Sequence, residues 1–355
     1  MAIYWITCMS SVFLAFMGTH SKGYIYGKKS SKRLTAIISS LPLFFLSVFR
    51  YGIGTDYFNY VEIYNLWIPR GTRVSIEPLF YYLNRAIHYF AGNDYRWLFV
   101  VLSIVYIGFT FIAIYKMSDS PVLSIYLLVA MTFYLSSFNT TREHIGCSIL
   151  LLSVYYAEKR DLKRFLLLVA LATGFHYTCI VFAFVYLFAK YMLNPKKVIA
   201  WTVVFIVLQG PIIILLSRLL SSSFRYSRYL ISTTGFSLNN VLGILIQVLL
   251  LLFALYLHKY NDGDVKYNLF LGCQTLAVWV NILSMSISAL ARMKWIFTMP
   301  AIIFVPLLIR SIPYDGSRKM VAALVCIAYF VYATIMVGVL HSYGIIPYVS
   351  LFQMN

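Results

Sequence analysis

Charge is scarce in this 355-residue chain, and negative charge scarcest of all. Asp and Glu number 11 against 29 Lys and Arg, and charged residues make up only 11% of the whole. A soluble domain of this length cannot solvate its surface with so few ionisable groups, so a soluble globular class is excluded. Cysteine provides no framework. The five residues (Cys8, Cys147, Cys179, Cys273, Cys326) lie in or at the edge of apolar runs without paired spacing, as small core residues do and as disulfides or metal ligands do not. HExxH, CxxC and GxSxG are all missing, and Asp262-Gly263-Asp264 is a lone acidic turn rather than a calcium loop. The segment Gly23 to Ser30 falls one residue short of a P-loop and follows no strand. Neither a metal nor a cofactor is expected. No low-complexity linker breaks the composition, so residues 1–355 are expected to form a single integral membrane domain.

What is present is apolar: 61% of residues are hydrophobic. A spanning helix needs roughly 20 such residues, with shorter ones tolerated. Candidate spans are 2–18, 34–49, 97–115, 121–138, 143–157, 198–217, 240–257, 268–289, 295–309 and 320–340. The first lacks a basic leader region and a small-residue cleavage site, and is expected to be a retained span. The stretch 165–189 is expected to fold back on itself near Gly174-Phe175-His176, because non-helical backbone at membrane depth is tolerable where it lines a polar cavity. The expectation is an all-α polytopic membrane protein of about 11–12 transmembrane segments.

The cations are sorted by side and by chemistry. With the basic loop Lys22, Lys28, Lys29, Lys32, Arg33 placed inside, as Lys/Arg-rich loops are, 18 cations fall inside and 13 of them are lysine. The other 11 are ten arginines and one lysine, Lys294. Reading 165–189 as a hairpin puts eight of the later cations inside and five outside; a single helix reverses this. The formal charge of +18 is then explained by topology and anionic lipid, and nucleic acid is not an expected partner. Guanidinium forks bind phosphate in a bidentate way where ammonium acts as a point charge, so the outer face is suited to a phosphorylated ligand. Two outer loops are expected, 50–96 and 218–239.

Several constellations fall on that face. Arg50-Tyr51-Gly52-Ile53-Gly54-Thr55-Asp56-Tyr57 combines two glycines, which permit a tight turn with free N–H groups, with a flanking arginine and acid; a capping turn with a snorkelling arginine is the plain alternative. Glu77-Pro78 opens an amphipathic stretch with Leu79, Leu83, Ile87 and Phe90 apolar and Asn84, Arg85 and His88 elsewhere, expected to lie flat in the interface. Phe138-Asn139-Thr140-Thr141-Arg142-Glu143 opens a span. An arginine there opposes the helix dipole and implies a partner: a ligand, or an ion pair with Asp56 or Glu77. His176 sits within a long uncharged run, where an ionisable group is a functional candidate; a lone histidine bonded to a carbonyl is the structural alternative. Arg292 follows a polar stripe of Ser284, Ser286 and Ser288. The 30 tyrosines and 27 phenylalanines suit sugar stacking as well as interfaces and core.

Taken together, RYGIGTDYFNY, the Glu-Pro, the segment FNTTREHIGCSILLLSVYYAEKRDLKRFLLLVALATGFHYT, the later Ala-Arg-Met around Arg292 and the terminal Pro347-Tyr348 resemble the Wzy-type polysaccharide polymerases of the EpsG-like branch. The resemblance runs over nearly the whole chain. Glu143 stands where that family more often carries glutamine, which adds a possible base. The resemblance implies a glycosyltransferase of GT-C-like architecture in the bacterial cytoplasmic membrane. It would transfer a growing glycan from undecaprenyl diphosphate to a lipid-linked repeat unit at the outer face, with membrane lipid and a chain-length regulator as further partners.

Such chemistry needs the leaving diphosphate neutralised and the acceptor hydroxyl deprotonated. Arg142 and Arg292 are expected to supply charge first, with Arg50, Arg225 and Arg228 next. Tyr57, Tyr60, Glu77, Asn139 and Tyr229 are expected to contact pyrophosphate or sugar. The base is His176, Asp56 or Glu143; His176 is preferred because imidazole titrates nearest neutrality. The competing readings are an oligosaccharide ligase or another polyprenyl-phosphate glycosyltransferase, and a flippase or transporter of lipid-linked sugars. A flippase should show internal repeats and cations deep in several spans, and neither is visible.

Overall fold

A computed structural model of the protein describes residues 1–20, 30–72, 76–191, 193–221, 238–286 and 288–353. Helices α1 (Ala2–His20) and α2 (Ser30–Val48) pack side by side, with the Ser11 hydroxyl donating to the Ser39 carbonyl. Helix α3 (Tyr57–Glu62), which continues as a π turn over Ile63–Trp67, and α4 (Pro78–Ala91) form an excursion before α5 (Arg96–Met117). The span expected over 121–138 is split into α6 (Pro121–Ala130) and α7 (Phe133–Ser136), because Thr132 adopts a φ of 66° that no right-handed helix accepts. Helices α8 (Thr141–Glu158) and α9 (Leu162–Phe175) follow, then a 3₁₀ stretch (Tyr177–Tyr186) and α10 (Leu187–Lys190). The second half holds α11 (Pro195–Ser221), α12 (Leu238–Leu257), α13 (Val265–Ser284), α14 (Lys294–Thr298), α15 (Ala301–Arg310) and α16 (Asp315–Ala333).

The protein is an all-α polytopic membrane protein. Among the described residues no strand occurs, and the one extended pairing is an isolated bridge between Arg50 and Ser350. Five helices are long and apolar enough to cross a membrane by length and composition: α1, α5, α11, α12 and α16. Helices α2 (19 residues), α8 (18) and α13 (20) are of similar length but outside those five, and the remaining apolar segments are shorter. Helix α8 lies at the centre, with buried residues on every face from Thr141 to Ala157, as expected of a helix packed all round. Its first turn carries Arg142 and Glu143 into the protein.

The chain reverses at His176, as the cation sorting requires. Helix α9 ends at an extended His176 (φ −152°, ψ 115°). The 3₁₀ stretch then runs back along it, stacking Phe182 on Phe165 and returning the Tyr186 hydroxyl to the Arg160 carbonyl at 2.9 Å. The start of α9 is fixed by Asp161, whose side chain accepts from the Arg164 N–H. Helix α4 packs on α9 where Gly174 leaves room: a Cβ there would stand 2.5 Å from Leu79. That close approach sets Glu77 beside His176.

The face that α4 buries differs from expectation. Phe80, Tyr81, Asn84 and Ile87 are buried, whereas Phe90, expected on the apolar face, is 85% exposed. Asn84, buried on this face, donates from Nδ2 to the Phe80 carbonyl at 2.7 Å, while its Oδ1 meets no described donor. Tyr82, Tyr89 and Phe90 are left outward, as interfacial aromatics are.

The two ends of the bundle differ. At one end Asp119 accepts from both Lys266 and Arg310, and Ser311 donates to Asn261, tying the 117–121, 258–266 and 310–315 turns together. At the other end the C-terminal segment folds over the glycine turn. Tyr51 N–H donates to Val349 (2.9 Å), Gly54 N–H to Gly344 (3.1 Å), and the Tyr348 hydroxyl to Leu46 (2.9 Å). This second end carries the arginine-rich cations.

Candidate active site

Glu77 is the hub. As the residue before Pro78 it is held extended (φ −65°, ψ 144°), and its carboxylate turns into the protein instead of capping α4. Oε2 accepts from Arg142 Nη1 at 2.7 Å, and Oε1 lies 3.4 Å from His176 Nδ1. The arginine's expected partner is therefore Glu77 rather than Asp56. Burial acts to raise the Glu77 carboxyl, but the His176 contact and the Arg142 charge outweigh it and hold the group below its ordinary value. With a proton on Nδ1 facing Glu77, His176 presents Nε2, a buried nitrogen that no described group bonds.

Arg142 is fixed on its other sides by rings, with Phe80 at 5.2 Å and Tyr60 at 5.8 Å from Cζ. The Tyr60 hydroxyl also accepts from the Arg142 backbone N–H at 3.4 Å, one of the donors a helix start leaves unpaired.

The glycine turn is stitched to the start of α8. Asn139 Oδ1 accepts from the Thr55 hydroxyl (2.6 Å) and from the Asp56 N–H (3.1 Å). Gly54 has φ of 89°, and a Cβ on it would stand 2.5 Å from the Phe138 carbonyl oxygen; only glycine fits. Asp56 is an electrostatic neighbour of Arg142 and of Glu143.

Arg50 does not snorkel: its guanidinium turns inward, and Nε is buried without a described partner. The residue is 2% exposed, clamped between Phe138 (4.5 Å) and Phe99 (5.1 Å), with Nη2 donating to Thr141 at 3.4 Å. Tyr57 stacks flat on Phe99 at 4.4 Å and walls this pocket. Arg50 thus pins α2 to α8 from within, not at an open surface.

Glu143 is buried, its Oε1 bonded to no described group, with Arg292 and Lys294 as electrostatic neighbours. Arg292 is exposed. Arg225, Arg228 and Tyr229 lie outside the described residues, as does most of the 218–239 loop.

His144 was not singled out from sequence. Its Nε2 meets Ser136 Oγ (2.8 Å) and its Nδ1 meets Thr140 Oγ1 (3.0 Å), so both nitrogens are occupied and it serves the packing. Among the described residues no group of three or more His, Cys, Asp or Glu side chains is placed to hold a metal ion.

The fold defines a polytopic membrane protein, one end of which brings together an arginine, a carboxylate and an imidazole. Residues 33–350 match the EpsG family, and the chain belongs to that family. Membership carries a polysaccharide-polymerase type of role, in a family of glycosyltransferase-like membrane enzymes. No curated protein and no solved structure matches the chain.

Proposed function

We propose that the protein is a bacterial polysaccharide polymerase that moves a growing glycan from undecaprenyl diphosphate onto the next lipid-linked repeat unit, at the outer face of the cytoplasmic membrane. The observation that carries this reading is the convergence of Arg142, Glu77 and His176 at the arginine-rich end of the bundle. Glu77 orients the imidazole, and His176 Nε2 takes the proton from the acceptor hydroxyl. The acceptor oxygen bonds to the anomeric carbon as the bond from that carbon to the diphosphate oxygen breaks. The lipid diphosphate leaves with the electron pair, its charge met by Arg142 and Arg292. Asp56, an electrostatic neighbour of Arg142, and Glu143, a neighbour of Arg292, position the acceptor. Lysine predominates among the cations assigned to the opposite side, as on cytoplasmic faces, which supports an outward-facing site.

The test is elongation by the purified protein in detergent, supplied with undecaprenyl-diphosphate-linked repeat units. Products of two and more repeats are expected without a nucleotide sugar and without added divalent metal. Folded protein that yields no elongation but carries the units across vesicle membranes would mark a flippase instead. Transfer of a single unit to a different acceptor would mark a ligase.

A further inference from the structure

A cavity with several polar side chains in its wall lies at the same end of the bundle. It has a volume of about 100 Å³ and is walled by the α6–α7 break, α12, α13, α14 and the end of α16. None of Arg142, Glu77 or His176 lines it. Lys294 is the one charged side chain among its described lining residues, and the one lysine among that end's cations. Glu143 is its electrostatic neighbour but is not within ion-pair distance. No described group accepts a hydrogen bond from the ammonium. The side chain is half-buried and its ammonium opens into the cavity, where it is free to meet an anion.

The rest of the lining specifies what kind. Gln247 Oε1 accepts from Gln274 at 2.9 Å, leaving its own amide N–H groups to donate. Asn281 gives its amide N–H to the Ala277 carbonyl at 2.7 Å, leaving Oδ1 to accept. One donor and one acceptor beside Trp295, Tyr332 and Tyr343 make a surface for hydroxyls and for a ring face. A cavity of about 150 Å³ holds a benzene ring, so this one takes the substituted edge of a single sugar. An ammonium is a point charge matched to a monoanion, whereas diphosphate suits the arginine forks elsewhere at this end.

We infer that this cavity is a subsite for a carboxylate-bearing sugar of the repeat unit, held by Lys294, so that the protein selects acidic over neutral units. The inference rests on the polymerase reading, of which it names the substrate class.

The test uses the full chain in detergent and three probes: methyl glucuronide, methyl glucoside and glucose 6-phosphate. Binding, read by calorimetry or thermal shift, is expected for the glucuronide, with the neutral glucoside about ten- to a hundredfold weaker, the usual range for a charge-assisted hydrogen bond. Lys294→Met should erase that preference and Lys294→Arg should keep part of it. If Lys294 only balances Glu143, the double variant Glu143→Gln/Lys294→Met would recover both stability and the preference; recovery of stability alone is expected. Equal binding of glucuronide and glucoside, no binding of either, tighter binding of the phosphate, or a preference that survives Lys294→Met would each overturn the proposal. The readout is independent of turnover: elongation without glucuronide preference removes this subsite only, and preference without elongation removes the polymerase reading.

Discussion

Replacing Glu77 by glutamine removes one charge from the centre of the site and almost no volume. The Glu77 side chain is 5% exposed and that of Arg142 26%. Breaking a fully buried ion pair costs about 3–5 kcal/mol because an uncompensated charge stays behind. Here Arg142 keeps some water and the amide oxygen can still accept from it, so a loss of about 1–3 kcal/mol is expected. The kinetic loss should be larger. A neutral amide no longer fixes the His176 proton on Nδ1, and general-base catalysis is worth about 10²–10⁴ in rate. Glu77→Gln should therefore accumulate in the membrane yet elongate lipid-linked repeats about 10²–10⁴ more slowly.

The pH dependence separates this from a simple packing defect. The folded-state carboxyl is depressed below its ordinary 4.5, so its contribution to stability is complete above about pH 4.5 and is lost as pH falls through the depressed value. The thermal midpoints of wild type and Glu77→Gln, compared between pH 5.5 and pH 3, should converge toward acid. A gap that stays constant over that window, or wild-type elongation by the variant, would refute the assignment of Glu77 as hub.

Three further outcomes follow from the same geometry. Arg142→Lys keeps the charge but loses the fork that reaches Glu77, so long polymer should largely disappear while protein level holds; normal polymer would remove Arg142 from the diphosphate site. Gly54→Ala should destabilise by about 1–3 kcal/mol in a thermal or denaturant assay. Gly71→Ala, also at positive φ but with nothing within 4 Å, should cost clearly less, and equal losses would mean that the Phe138 contact is unimportant. Cysteines introduced as Arg70→Cys, Arg225→Cys and Asp315→Cys should react with an impermeant thiol reagent in intact cells at the first two positions only; labelling at 315 with 225 protected would invert the topology.

Much of this protein was legible from residue order alone, because membrane insertion is governed by local hydrophobicity and by the charge of short loops. The apolar runs announced a helical membrane protein. The sorting of lysine from arginine required a reversal near His176, which the structure places there. The short motifs around Arg50, Glu77, Arg142 and His176 fall together at one end of the bundle. What sequence could not settle was pairing between distant segments. Arg142 had two candidate acids, and the packing of Leu79 against Gly174 is what delivered Glu77 instead of Asp56. That Arg50 lies between Phe99 and Phe138, 49 and 88 residues away, is equally a matter of packing. The buried face of α4 includes Asn84, whose Nδ2 donates to the Phe80 carbonyl, a local bond that periodicity does not register. Lys294 looked like an exception to the arginine pattern until the packing of distant helices placed it on the wall of a cavity. Hydrophobicity and loop charge are properties of consecutive residues, and so they survive in the sequence. The partner of a buried charge is decided by which backbones can approach one another, and only the folded bundle settles that.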